Sequence, residues 1–187
     1  MKFKGMKMIQ EGHFIHRYDI EYEAADGSSK VYEMITRNRD MQTLEDLQNV
    51  NPDSVIMILT DENNEKLLLC KEYRMAMGQW VYNFPSGLID PGATPEEAGA
   101  RELREETGLE LISIDEVLGN SYSAIGFSNE MNLCIFGKAR GEFQESSSVL
   151  EEIQPGWYTR DQVREILKND FFAARTQAFC YLWAKQS

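Results

Sequence analysis

The chain has 187 residues, a mass of 21.5 kDa and a formal net charge of −12, with 42% hydrophobic and 27% charged residues. That length supports a substantial core in one domain, or one domain with a small annex. Nineteen Lys and Arg against 31 Asp and Glu exclude a protein that grips extended nucleic acid through diffuse positive charge. The carboxylate surplus is either a solvated acidic surface or a local cluster that collects divalent cations, and composition does not choose between them.

No stretch approaches the roughly 18 apolar residues of a membrane span, and Met1 to Gln10 lacks the apolar region of a signal peptide. The expectation is a cytoplasmic protein without membrane partners. Cys70, Cys134 and Cys180 are widely spaced in apolar runs, as buried reduced thiols are. His13 and His16 form an isolated H-x-x-H pair, read as strand or loop surface because no further His or Cys is near to complete a metal site.

In chain order, Phe14 to Arg37 alternates polar and apolar residues around Ala25-Asp26-Gly27-Ser28, which predicts a β-hairpin. The polar stretch Asn38 to Asp53 marks a boundary, giving an N-terminal β unit over residues 1–51 and a main domain over 52–187. Ser54 to Thr60 and Lys66 to Arg74 read as strands joined by the turn Asp61-Glu62-Asn63-Asn64. Trp80 to Phe84 reads as a short strand ending at a turn, Pro85-Ser86-Gly87. Ser113 to Tyr122, Met131 to Arg140 and Gln154 to Thr159 are further strands, and Arg160 to Asn169 and Phe171 to Gln186 are helices. Strands and helices interleave without a strict βαβ period, so the fold class is α+β with a mixed-sheet sandwich.

The most informative stretch is Gly87 to Leu109, GLIDPGATPEEAGARELREETGL. Thr94 is a good N-cap, Pro95 suits the first helical position, and Glu97 completes a capping box. Gly108 supplies the stop, about three turns later. At 100° per residue, Glu102, Glu105 and Glu106 share an arc of about 100° on one face. Leu103, Ala100 and Thr107 form the adjacent stripe that can pack on a sheet. Like charges at this spacing destabilise a helix unless a positive group sits among them. Mg²⁺, or Mn²⁺, is a suitable compensator, since hard cations take carboxylate oxygens. A solvated, surface-paired charged helix is the competing reading of the same composition.

The full spacing resembles the Nudix box, a glycine, five residues, a Glu, seven residues, then R-E-U-x-E-E-x-G-U with U apolar. Gly87, Arg101, Glu102, Leu103, Glu105, Glu106, Gly108 and Leu109 match eight of its nine fixed positions. The exception is the first Glu, here Ala93. In the family that Glu often pairs with the box Arg, so Arg101 needs a substitute partner, either Asp90 or a carboxylate of its own helix. The resemblance implies the α/β/α Nudix fold and hydrolysis of a diphosphate linked to another moiety. It implies Glu102, Glu105 and Glu106 as metal ligands, the latter two also catalytic, with the backbone carbonyl of Ser86 as a further ligand.

Flanking residues resemble the ADP-ribose and nucleoside-diphosphate-sugar pyrophosphatase branch. NFPSGLIDPG matches its approach to the box, and KEYRMAMGQW matches a strand bearing a substrate-facing Arg, here Arg74. GFSNE resembles a loop whose Glu, here Glu130, lies near the terminal sugar. In that branch an acidic loop before the last strand supplies a ligand or base. Glu145 to Glu152 occupies that region, with Glu151 the best match and Glu152 the second. Two departures are Ile125, where ADP-ribose enzymes carry a proline, and Asn83, where a Glu is usual. Trp80, Tyr82, Tyr122 and Phe127 could stack on a base, although core packing is the commoner use of such residues. Branch members use the N-terminal sheet to dimerise, which implies a homodimer; the apolar C-terminal segment could serve the same end or the core.

The resulting expectation is Mg²⁺-dependent hydrolysis of ADP-ribose or a related nucleoside diphosphate sugar to a nucleoside monophosphate and a sugar phosphate. Two alternatives remain open at this stage. One is a catalytically weak Nudix domain that senses a nucleotide sugar. The other is a dinucleoside polyphosphate or nucleoside triphosphate hydrolase.

Overall fold

The computed structural model describes residues 1–48, 51–146 and 151–186. They form β1 (Lys2–Gln10), β2 (His16–Glu23), β3 (Ser29–Thr36), α1 (Leu44–Leu47), β4 (Ser54–Thr60), β5 (Lys66–Arg74) and β6 (Gln79–Asn83). These are followed by β7 (Ser86–Leu88), α2 (Pro95–Thr107), β8 (Glu110–Tyr122), β9 (Met131–Arg140), β10 (Ile153–Thr159), α3 (Arg160–Asn169) and α4 (Ala174–Lys185). The chain divides into two compact units, Met1–Asp53 with Gly119–Asn132, and Ser54–Leu118 with Leu133–Ser187.

The first unit is built on an antiparallel sheet, β1-β2-β3. The hairpin β2-β3 pairs without interruption from His16↔Thr36 to Glu23↔Ser29, and Gly27 supplies the positive φ that its turn requires. Strand β1 was not expected. Its register shifts between Phe3 and Gly5 and again between Met8 and Gln10, and such bulges erase the period of two by which a strand is read. Tyr18, Ile20, Met34 and Met41 form the unit's buried centre. Within the polar boundary stretch, Thr43 and Asp46 form a reciprocal capping box on the single turn of α1. His16 is a correction to the surface reading: it is buried at the start of β2, opposite the buried Thr36. His13 is exposed and packs edge-on against Phe14.

The larger sheet has the order β10-β5-β4-β9-β8, with β6 added to β5 and β7 to β4. Alternate residues of its central strands feed two cores. Ile56 and Ile58 of β4, with Leu67 and Leu69 of β5, pack with Val163 of α3 and Cys180, Trp183 and Ala184 of α4. Met57, Leu59 and Leu68 point the other way and pack with Leu103 of α2, Leu109 and Ala139. This is the expected α/β/α sandwich.

Two predicted boundaries fail for a shared reason, which is backbone pairing with a neighbour. The segment expected as a turn at Pro85-Ser86-Gly87 runs into β7, whose residues pair with β4 from Ser54↔Leu88 to Ile56↔Ser86. The last helix begins at Ala174 and not Phe171, because Phe171 and Ala173 exchange backbone hydrogen bonds with Tyr82 of β6. All three cysteines are free. Burial raises Cys70 and Cys134 and pushes Cys180 up to about 12, so none is a ready thiolate nucleophile.

Candidate active site

Helix α2 is fixed at both ends before any function is considered. Thr94 Oγ1 accepts from the Glu97 amide at 3.2 Å while the Glu97 carboxylate accepts from the Thr94 amide at 2.9 Å. At the other end Gly108 takes the left-handed conformation, φ 78°. Between them, fully buried Leu103 anchors the helix on the sheet. With Leu103 facing inward, Glu106 is carried to the rim of the sheet and buried, 6% exposed, where its Oε2 accepts from the Ser86 amide at 3.3 Å.

Arg101 resolves the missing partner at position 93 by taking several. Its guanidinium lies 3.1 Å from Asp90, 2.9 Å from Glu102 and 3.2 Å from Glu105, and donates to the Leu88 carbonyl at 3.0 Å. Both proposed substitutes for the first box Glu are therefore used at once. Gly87 is the other structural requirement. A Cβ there would overlap the Glu102 carboxylate, so the box glycine opens the space that this side chain occupies.

Strand β5 supplies a residue that sequence reasoning missed. Leu68, Cys70, Glu72 and Arg74 share one face of the strand, which turns from apolar beside α2 to charged at its C-terminal end. Glu72 is only 4% exposed. One of its oxygens accepts from Arg74 Nη1 at 3.2 Å, the side chain also hydrogen-bonds Asn83, and Oε1 is buried with no partner among the described residues. Asn83 in turn accepts from Thr176 Oγ1 at 2.9 Å. A Glu at position 83, as in the related branch, would set another carboxylate against Glu72; the amide donates to it instead. The available signal was a period-two reading of β5, which aligns Glu72 with Arg74.

Glu72, Arg74, Ser86, Glu106, Glu151 and Glu152, with Tyr73 and Ile153, line a cavity of about 60 Å³. That volume suits ions and a few waters, not a whole nucleotide, since one water in the liquid takes about 30 Å³. Burial pushes Glu106 up to about 9, reinforced by the charges of Glu72, Glu102 and Glu151. Burial likewise pushes Glu72 up to about 7 against the opposing pull of Arg74. Glu102, half-buried, is raised by desolvation while Arg101 pulls it down. The common and largest cause is burial, to which the charges of neighbouring carboxylates add.

Among the described residues no three His, Cys, Asp or Glu side chains already converge as metal ligands. Glu102 and Glu105 are instead engaged by Arg101. The residues nevertheless fit a divalent cation: an orphaned carboxylate oxygen is buried at the cavity, and the donor set is all hard oxygen.

The structure brings together Arg74, Ser86, Glu106 and Glu151 around the cavity. Glu102 lies close enough for its charge to raise Glu106. Glu105, 49% exposed at its side chain, is held by Arg101 and is not among the cavity-lining residues. Glu130 belongs to the other compact unit, where it accepts from Arg37 Nε at 3.1 Å. Glu145 lies outside the cavity lining, and residues 147–150 of the acidic loop lie outside the described residues. Of the candidate stacking aromatics, Tyr82 is core, Trp80 packs edge-on with Tyr73, and Tyr122 and Phe127 are exposed.

ADP-sugar pyrophosphatase of Mus musculus is 31% identical over 102 residues, 54% of this chain and 45% of that protein. The chain thus spans under half the length of that relative. ADP compounds hydrolase NudE of Escherichia coli (strain K12) is 25% identical over 170 residues, covering 89% of this chain and 83% of that one. A crystal structure of an ADP compounds hydrolase superposes with a TM-score of 0.72 over 99% of this chain and 93% of the other, at 18% identity, which establishes a common fold. The NUDIX domain model matches residues 50–178, and the chain belongs to the Nudix family.

Proposed function

We propose that this protein is a divalent-cation-dependent pyrophosphohydrolase of ADP-ribose or a related nucleoside diphosphate sugar, with Mg²⁺ as the working cation and a nucleoside monophosphate and a sugar phosphate as products. The observation that carries this reading is the shared cavity of Glu72, Arg74, Ser86, Glu106 and Glu151, in which acidic ligands and one cationic side chain face the same space. The names of the relatives, ADP-sugar pyrophosphatase and ADP compounds hydrolase, support the substrate class.

Glu102, Glu106 and the Ser86 carbonyl would hold the cation, with Glu105 sharing its waters. When bound, such an ion neutralises diphosphate charge and lowers the pKa of coordinated water. Arg74 is paired with Glu72 through Nη1 but 56% exposed at its side chain, so its remaining guanidinium donors are open to a diphosphate, whose oxygens suit that fork. Glu151, exposed at the cavity and near enough to raise Glu72, Glu102 and Glu106, takes a proton from the attacking water as that water forms its bond to phosphorus. The P–O bond opposite breaks, and its electrons leave on the departing phosphate. Glu130 serves the sugar end. The active form is a cytoplasmic homodimer joined through the N-terminal sheet.

The test is incubation with Mg²⁺ and separate ADP-ribose, other nucleoside diphosphate sugars, dinucleoside polyphosphates and nucleoside triphosphates, followed by product chromatography. Turnover of ADP-ribose or another diphosphate sugar supports the reading. Exclusive turnover of triphosphates or dinucleoside polyphosphates, or tight sugar-nucleotide binding without turnover, overturns it.

A further inference from the structure

We infer that Glu72 is an additional carboxylate of the metal centre, offering its unpartnered Oε1 to a cation shared with Glu106. The inference rests on the cation-dependent reading above and extends it to a residue outside the family box.

Three observations carry it. Glu72 is only 4% exposed, and its Oε1 has no hydrogen-bond partner among the described residues, although buried carboxylate oxygens are otherwise satisfied. Glu72 lines the same cavity as Glu106, Ser86 and Glu151, which places the two buried carboxylates at one space. The mounting is rigid: Glu72 pairs with Ile153 of β10 on one edge and Val81 of β6 on the other. Arg74 and Asn83 then fix the carboxylate, as partners of a metal-bound carboxylate do.

A purely structural role does not explain the position. Arg74 and Asn83 need only an acceptor, which a glutamine carbonyl provides, and a glutamine would remove the cost of a buried charge beside Glu106. A carboxylate is required there only if a cation completes the set.

The experiment is Mn²⁺ binding to the full chain without nucleotide, followed by electron paramagnetic resonance of free Mn²⁺ and by calorimetry. The proteins are wild type, Glu72→Gln, Glu72→Asp, Glu106→Gln and the distant surface control Glu165→Gln. Glu72→Gln keeps the acceptor for Arg74, and Glu72→Asp keeps the charge but withdraws it by one methylene. Both are expected to weaken Mn²⁺ binding by about tenfold or more, or to lose one ion per chain, while the control binds as wild type. Wild-type affinity and stoichiometry in both Glu72 variants would overturn the inference and, if Glu106→Gln still loses Mn²⁺, would leave the cation reading intact. No Mn²⁺ binding by the wild type would overturn both.

Discussion

Two pairs of carboxylates meet in this protein under different terms. Glu102 and Glu105 form an outer pair, 15% and 49% exposed at their side chains, and share the guanidinium of Arg101, which Asp90 also contacts. Glu72 and Glu106 lie inward; among the described residues Arg74 and Asn83 contact Glu72, and the Ser86 amide meets Glu106. The outer pair, with Asp90, shares one cationic side chain, while the inner pair is set apart by burial, which raises both carboxyls most. The difference teaches where a cation has most to contribute: at the inner pair, where water is largely excluded and, among the described residues, no cationic side chain is paired with Glu106.

The largest effect is expected from removing the inner charge. Glu106→Gln should lower kcat with ADP-ribose and Mg²⁺ by at least about 100-fold, measured by AMP release. The same substitution should raise the metal-free melting midpoint at pH 8 by roughly 4–8 °C, because the raised carboxyl must take up a proton on folding at that pH and a glutamine need not. Loss of activity with a lowered midpoint would instead mark Glu106 as a structural residue.

The second test is pH. Glu72 and Glu106 are raised on folding from the usual 4.5 to about 7 and about 9. Between those values the folded chain binds more protons than the unfolded chain, so stability contributed below about pH 4.5 is lost as pH climbs through 7 and 9. Melts in a chelator should therefore fall steadily from pH 5 to 9. Saturating Mg²⁺ should flatten that slope, since ligation requires the deprotonated carboxylates. A pH-independent midpoint in chelator would break the distinction between the two pairs.

Releasing the outer pair should matter less. Arg101→Ala frees Glu102 and Glu105 from their shared partner, and about a tenfold loss of kcat/KM is expected with a change in melting midpoint of a few degrees at most. The smallest effect belongs to Ala93→Glu, which restores the family's usual residue. Arg101 already holds Asp90, Glu102 and Glu105, so kcat/KM should move by less than about twofold. A large gain would mean that Asp90 is a poor substitute.

These cases also mark what was legible from sequence. Helix α2 was readable from Thr94, Pro95, Glu97 and Gly108, because caps are local chemistry between residues a few positions apart. The strands β4, β5 and β9 matched their predicted bounds, since uniform apolar runs are buried wherever they fall. Glu72 was not legible. Sitting in KLLLCKEYR it looks like any polar residue at a strand end, and only the packing of α2 across the sheet turns its face inward. Strand β1 and the buried His16 were hidden in the same way, by bulges and by neighbours remote in sequence. Ile125 is 84% exposed, so its departure from the ADP-ribose branch costs the fold little.

The glycine at position 87 carries a wider consequence. Its missing side chain is the mould in which the Glu102 carboxylate sits, so a larger residue there forces Glu102 out even if every acidic residue is retained. A diverged relative could therefore keep all its box glutamates and still have lost its cation, and the residue at this one position would reveal it.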